Sequence, residues 1–186
     1  MTTTKLPSVR IPAGTWTIDP AHSRLGFAAK HLGIATTRGE FREFEGTLEI
    51  GGDLESFRAH GSARAASIDT NHEIRDGNLR AAECFDAANH PELRFRSTRI
   101  EASDDETLRV VGELEIKGRT HEVELTVELV GSGEGPKGEE RLGLEARGTV
   151  SRRDYDLRFP MIPGSGDAFV ADQVRLELGV AAIRQA

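Results

Sequence analysis

Six histidines, His22, His31, His60, His72, His90 and His121, and one cysteine, Cys84, are the side chains best suited to hold a metal, move a proton or attack a carbon. The histidines stand singly, without the close spacing of a metal-binding pair, and one cysteine makes neither an intrachain disulfide nor a cysteine-rich zinc site. No phosphate loop, dinucleotide fingerprint, His-Glu-x-x-His or Gly-x-Ser-x-Gly elbow is found. Cys84 reads as a small buried apolar residue or as a reactive thiol. The acids Glu113, Glu115, Glu122 and Glu124 lack the Asp/Asn/Gly spacing of a calcium loop and read as a solvated strand face. No metal, cofactor or catalytic constellation is expected.

Two polar positions keep alternatives open. His31 extends the stripe Leu25, Phe27, Ala29, which points it inward near a strand end. It reads as a hydrogen-bonded structural histidine, as a contact for a ligand headgroup, or as a general base or metal ligand. Asp76 and Arg80 lie four apart on a predicted helix and form either a local ion pair or part of a headgroup clamp.

The elements that must position these residues are mostly strands. Leu108, Val110, Gly112, Leu114 and Ile116 alternate with mostly charged residues; past Gly118 and Arg119, His121, Val123, Leu125, Val127 and Leu129 do the same. A two-residue turn at Gly118-Arg119 would set Lys117 opposite Thr120 and Leu114 opposite Val123, with every apolar residue on one face. It would also oppose Glu115 to Glu122 and Glu113 to Glu124, a repulsion for Arg94, Arg96, Arg141 or Arg147 on neighbouring strands to answer. Further strands are expected at Thr15–Asp19, Arg24–Lys30, Thr37–Ile50, His60–Ile68, Leu93–Ile100, Leu142–Val150 and Gln173–Ala182. Parity changes between Phe41 and Phe44, which predicts a bulge or bend. Ser103–Glu106 and Gly131–Pro136 read as loops, the second mobile. One helix is predicted, Asp76–Ala87, with Asp76 as N-cap and Leu79, Ala82 and Phe85 along one face.

One short helix cannot cover so large a sheet, so an all-β fold is expected: a closed, extended antiparallel β-barrel of about eight strands with a capping helix, a sandwich being the alternative. Residues 1–13 read as a flexible N-terminal segment and 14–186 as a single domain. A net charge of -7 opposes nucleic-acid binding, and no apolar run is long enough to span a bilayer. The start, Met1 to Pro7, has no apolar signal core, so a cytoplasmic protein is expected. A homodimer and transient membrane contact are both compatible with the sequence. The phenylalanines Phe27, Phe41, Phe44, Phe85 and Phe95 either pack a core or line a cavity, and periodicity does not separate the two.

Trp16-x-Ile18-Asp19-x-x-His22-Ser23, then Phe27, His31, Gly39-x-Phe41 and Phe44-x-Gly46, resembles the opening of the YceI-like family of lipocalin-like polyisoprenoid-binding proteins. Ser67-Ile68-Asp69-Thr70, Arg75-Asp76-x-x-Leu79-Arg80, Phe85-Asp86, His90-Pro91-x-x-x-Phe95-x-Ser97 and Gly112-x-Leu114-x-Ile116-Lys117-Gly118 continue the likeness, which spans Thr15 to Ala182. One departure is Arg152-Arg153-Asp154-Tyr155-Asp156, where the family tends to place Gly in the last position. Many relatives are exported, an address this chain is not expected to share. The resemblance implies a lipocalin-like barrel binding, carrying or sequestering a quinone, polyprenol, polyprenyl phosphate or other long amphiphile. The ligand-binding residues then expected are Phe27, His31, Phe41, Leu79, Arg80, Phe85, Phe95, Leu114, Val123 and Leu125. The alternatives are an isoprenoid-modifying enzyme using His31 or His22, and a stress-related domain with a filled core that works through its surface.

Overall fold

Alternating apolar and charged side chains make long antiparallel strands, and the computed structural model, which describes residues 3–5, 10–104, 107–159 and 169–185, curls them into a barrel. The strands are β1 (Thr3–Lys5), β2 (Arg10–Pro12), β3 (Gly14–Ile18), β4 (Arg24–His31), β5 (Ala35–Phe41), β6 (Phe44–Ile50), β7 (Arg58–Arg64), β8 (Ile68–Asp69), β9 (Glu92–Ala102), β10 (Thr107–Ile116), β11 (Arg119–Glu134), β12 (Glu140–Ser151) and β13 (Val170–Arg184). The helix α1 spans Glu73–Arg80.

β3 and β4 run end to end as one stave, as do β6 with β5 and β7 with β8, so the wall has eight staves: these three pairs and β9 to β13. Each pairs antiparallel with its neighbour in sequence. β13 closes the ring, with Ala182 opposite Ile18 of β3 and Leu176 opposite Phe27 of β4. β12 pairs with β13 in turn, over Arg141 to Ser151. The parity change in the second stave is the bend at Arg42-Glu43, where Arg42 donates to Ser67 O (3.1 Å) and Glu43 O accepts from Arg64 N (2.9 Å). Both Phe41 and Phe44 thereby face inward.

Several details differ from the sequence reading. The β10–β11 turn is Lys117-Gly118, both with positive φ (51° and 69°), which is the backbone a two-residue turn between twisted strands requires. The register therefore slides by two residues: Leu114 faces His121 and Gly112 faces Val123. Face parity survives, because the slide is even. Neither expected acid pair forms: Glu115 faces Thr120 and Glu124 faces Val111, while the slide brings Glu113 opposite Glu122. Of the four arginines proposed to answer these acids only Arg96 does so, bonding Glu113 at 2.8 Å; Arg94 and Arg147 pair with Glu92 and Glu145 on their own strands, and Arg141 with Asp19 and Glu139. Arg109 instead bridges Glu101 and Glu124, and its hydrogen bond holds the Glu124 carboxyl below the usual range.

Gly131 to Glu134 belong to β11, paired with Glu140 to Gly143, so the expected loop contracts to a turn beyond them. Ser103 and Asp104 form a bend, while residues 105 and 106 lie outside the described residues. Ile11, in the stretch expected to be flexible, is 2% exposed and packs with Trp16, Ile50 and Phe57, so the folded domain begins before residue 14.

The helix starts three residues earlier than expected and ends at Arg80. Its N-cap is His72, whose Nδ1 accepts from Arg75 N. Asp76 does not cap: its buried carboxylate accepts from Thr70 N (2.9 Å) and Thr70 Oγ1 (2.5 Å), tying the helix to β8. Residues after Arg80 continue as turns, with Phe85 N donating to Leu79 O. Leu79 and Phe85 still face the barrel.

Candidate functional site: an apolar cavity along the barrel

Inward-facing residues of a barrel this wide either fill it or line a space. Two buried clusters occupy its ends. One gathers Ile11, Trp16, Ile50, Phe57 and Leu142; the other gathers Phe41, Leu79, Cys84, Tyr155 and Leu157 under α1. Between them lies a cavity of about 320 Å³ lined almost wholly by apolar atoms. The mid-barrel residues Leu25, Phe27, Phe95, Leu114, Leu144 and Leu176 point into it, and all remain only partly buried. They are inward yet uncovered. At ~24 cal/mol per Å³ of unfilled volume, such a space leaves several kcal/mol of packing unrealised, which a matching hydrocarbon would supply.

The aromatic wall beneath α1 is a contact chain: Phe27 to Phe41 at 5.9 Å between centroids and Phe41 to Phe85 edge-on at 5.7 Å. Two glycines let rings press close to the backbone. A methyl on Gly39 would overlap the Phe27 ring, and one on Gly112 would sit 2.5 Å from Phe95 Cζ.

Eight of the ten residues expected to contact a ligand line this cavity: Phe27, Phe41, Leu79, Phe85, Phe95, Leu114, Val123 and Leu125. Two do not. His31 is exposed and stacks on Phe169 at 6.2 Å, because β4 ends there and the stripe runs out beyond the cavity. Arg80 donates to Ala66 O (2.8 Å) and Ile68 O (2.7 Å), and Arg75 donates to Thr70 Oγ1 and Thr70 O. Both arginines pin α1 to the β7–β8 stave; among the described residues no ion pair joins Asp76 to Arg80. His22 is exposed on the barrel exterior.

Sequence reading missed the closing stave, Val174, Leu176, Leu178 and Val180 of β13, although its alternation with Arg175 and Glu177 was visible. It also missed Arg152, 2% exposed at the cavity end. This guanidinium donates to Leu157 O (3.0 Å), Val170 O (3.2 Å) and Ala171 O (3.3 Å) and lies over the Phe159 ring. The family-like motif at 152–156 contains this arginine, but composition and periodicity give no sign that it is buried.

Cys84 lines the cavity, and burial pushes its thiol up to about 12. The thiol then stays protonated at pH 8. Native protein should therefore resist a maleimide at that pH and react promptly in urea. Fast labelling of the native chain would show Cys84 to be open to water.

A model of the YceI-like domain matches residues 16–182. The chain belongs to the YceI-like family. It is 33% identical over 165 residues to a UPF0312 protein of Pectobacterium atrosepticum, covering 88% of this chain and 82% of that one. With Protein YceI of Escherichia coli O157:H7 it shares 32% over 145 residues, 77% and 75% of the two chains. Among solved structures, BcnA of Burkholderia cenocepacia superposes with a TM-score of 0.78 at 20% identity, over 88% of this chain and 98% of that one. A polyisoprenoid binding domain from Saccharophagus degradans, implicated in plant cell wall breakdown, gives 0.68 at 13% identity, over 94% and 100%. At these identities the two structures establish the shared barrel.

The opening motif acts structurally in this YceI-like chain. Asp19 caps the turn between β3 and β4 through Ala21 N; its other oxygen bonds His22 (2.8 Å) and Arg141 (3.0 Å), which hold the carboxyl below the usual range. Ser23 Oγ exchanges hydrogen bonds with Ala181 of β13. The motif fastens the bent first stave across the closing seam. Asp156, where the family tends to place Gly, has φ 53°, so the tight backbone feature persists on a residue type that tolerates it.

Proposed function

We propose that the barrel binds and carries a long isoprenoid or similar amphiphile, its hydrocarbon tail lying in the cavity. One observation carries the reading: the space is lengthwise, apolar and lined by side chains that the protein itself leaves uncovered. The polyisoprenoid binding named for the Saccharophagus structure supports it. A barrel filled by its own side chains, acting only through its surface, does not account for such a cavity.

Chemistry on the ligand is not part of the proposal. His22 and His31, the acid or base an enzyme reading would use, are both away from the cavity. The arginines nearest it are committed to protein partners: Arg24 to Glu40, Arg58 to the carbonyls of Glu55 and Phe57, Arg94 to Glu92, and Arg152 to backbone carbonyls. Recognition then rests on the tail, since burial of hydrocarbon contributes ~0.8 kcal/mol per CH₂ and exposed ion pairs only ~0–1 kcal/mol.

Mass spectrometry of organic extracts from the purified protein should recover a long-chain amphiphile. In titrations with prenols of graded length, affinity should fall by about tenfold or more for each isoprene unit removed from an enclosed tail. At fixed length, a neutral prenol and its phosphate should bind within tenfold of each other at low and high salt. A hundredfold preference for the phosphate, or affinity independent of length, would refute tail recognition.

A further inference from the structure

Four large apolar side chains are exposed among the described residues: Leu32 (49%), Ile34 (84%), Ile74 (74%) and Val130 (65%). Leu32 and Ile34 share one feature of the fold, the three-residue turn Leu32–Ile34 that joins β4 to β5. In that turn Leu32 holds φ 52° and Gly33 φ 71°. The left-handed backbone at the first position suits Asn, Asp or Gly, and a branched apolar residue there is strained. A residue chosen for folding alone would be Asn, which relieves both the strain and the exposure. The turn tolerates both costs at one residue.

The surrounding charge is equally local. From Pro20 to Gly39 the chain has no Asp or Glu, yet it carries Arg24, Lys30 and Arg38 as well as His22 and His31, in a protein of net charge -7; Arg24 pairs with Glu40 of β5 and Arg38 with Glu177 of β13. Lys30 and His31 directly precede the turn and are exposed, and among the described residues Lys30 makes no ion pair. The tip also stands beside the cavity. Ala29 and Val170 are lining residues, Val170 pairs with His31, and Leu32 N donates to Phe169 O (2.8 Å).

We propose that the β4–β5 tip docks the barrel on an anionic lipid bilayer, where Leu32 and Ile34 enter the interface and Lys30 meets the headgroups, so that cargo passes between membrane and cavity beside the tip. This rests on the lipid-carrier reading. Two apolar side chains on a turn are too small for a protein interface, which buries about 800 Å² per partner and needs complementary shape. A bilayer demands neither: a few inserted apolar groups and adjacent cations suffice for reversible attachment.

The test separates docking from binding. Wild type, the pair Leu32→Asn with Ile34→Glu, and Val130→Glu on the opposite end of the barrel would each receive a fluorescent long-chain prenol by two routes. One is delivery from dilute ethanolic solution, and the other is transfer from vesicles of phosphatidylcholine with phosphatidylglycerol. All three chains should bind equally from solution, while the tip variant takes prenol from vesicles about tenfold more slowly. Wild-type transfer should also slow with phosphatidylcholine alone or at high salt. Equal vesicle transfer by tip variant and wild type, or slowing by Val130→Glu alone, overturns the docking proposal. Failure of wild type to bind from solution overturns the carrier reading instead. In that case, co-sedimentation with the anionic vesicles still decides docking: it should be lost in the tip variant, and its absence in wild type overturns the proposal.

Discussion

Replacing Phe95 by Asp is expected to abolish prenol binding and to lower stability by several kcal/mol, about as much as any single change in the barrel. Phe95 packs against both terminal clusters and lines the cavity between them. The substitution removes a large apolar surface and places a carboxylate among apolar atoms without a partner, and each effect alone costs roughly 3 kcal/mol or more. Urea unfolding followed by fluorescence should show a markedly lower midpoint, and prenol titration in the folded baseline should show no uptake. Phe95→Leu separates the two effects: it should fold nearly as well and bind more weakly. Undiminished binding by the Asp variant would place the tail elsewhere.

Arg152→Met should destabilise the protein by about 3 kcal/mol or more, although its volume and stem are kept. The guanidinium satisfies carbonyls of Leu157, Val170 and Ala171 at once, joining the turn after β12 to the start of β13. Without it the buried Leu157 carbonyl and the partly buried Val170 and Ala171 carbonyls lose a charged donor. Arg152→Lys should recover only part of the loss, because a single ammonium cannot reproduce the planar fork. If urea unfolding gave Arg152→Met a stability within about 0.5 kcal/mol of wild type, the arginine would be a passenger in the core.

The closed barrel was legible because period two is a statement about one face, and it survives local mistakes. The β10–β11 turn shows this: choosing Gly118-Arg119 over Lys117-Gly118 shifted every partner by two, yet left Val123 and Leu125 inward. Face assignments failed where a strand stopped. His31 continues a stripe on paper, but the strand ends and the side chain leaves the wall. Polar side chains were least legible, because their partners come from distant sequence. Asp76 looks like a helix cap until Thr70 is seen beside it, and Arg80 looks like a headgroup clamp until the carbonyls of Ala66 and Ile68 are in place. Cavity and core share one apolar pattern; only the partial exposure of residues such as Leu114 and Leu176 separates them.

Phe27 lies over Gly39 and Phe95 over Gly112, so at these two places the thickness of the wall is that of bare backbone. Adding one carbon at either site would tilt a ring inward and narrow the passage, without touching any atom of the occupant. The bore is thus gauged from behind its lining. Homologous barrels that differ in the girth of molecule they admit can have drifted apart by single-methyl steps at such glycines, with the residues that touch the occupant unchanged.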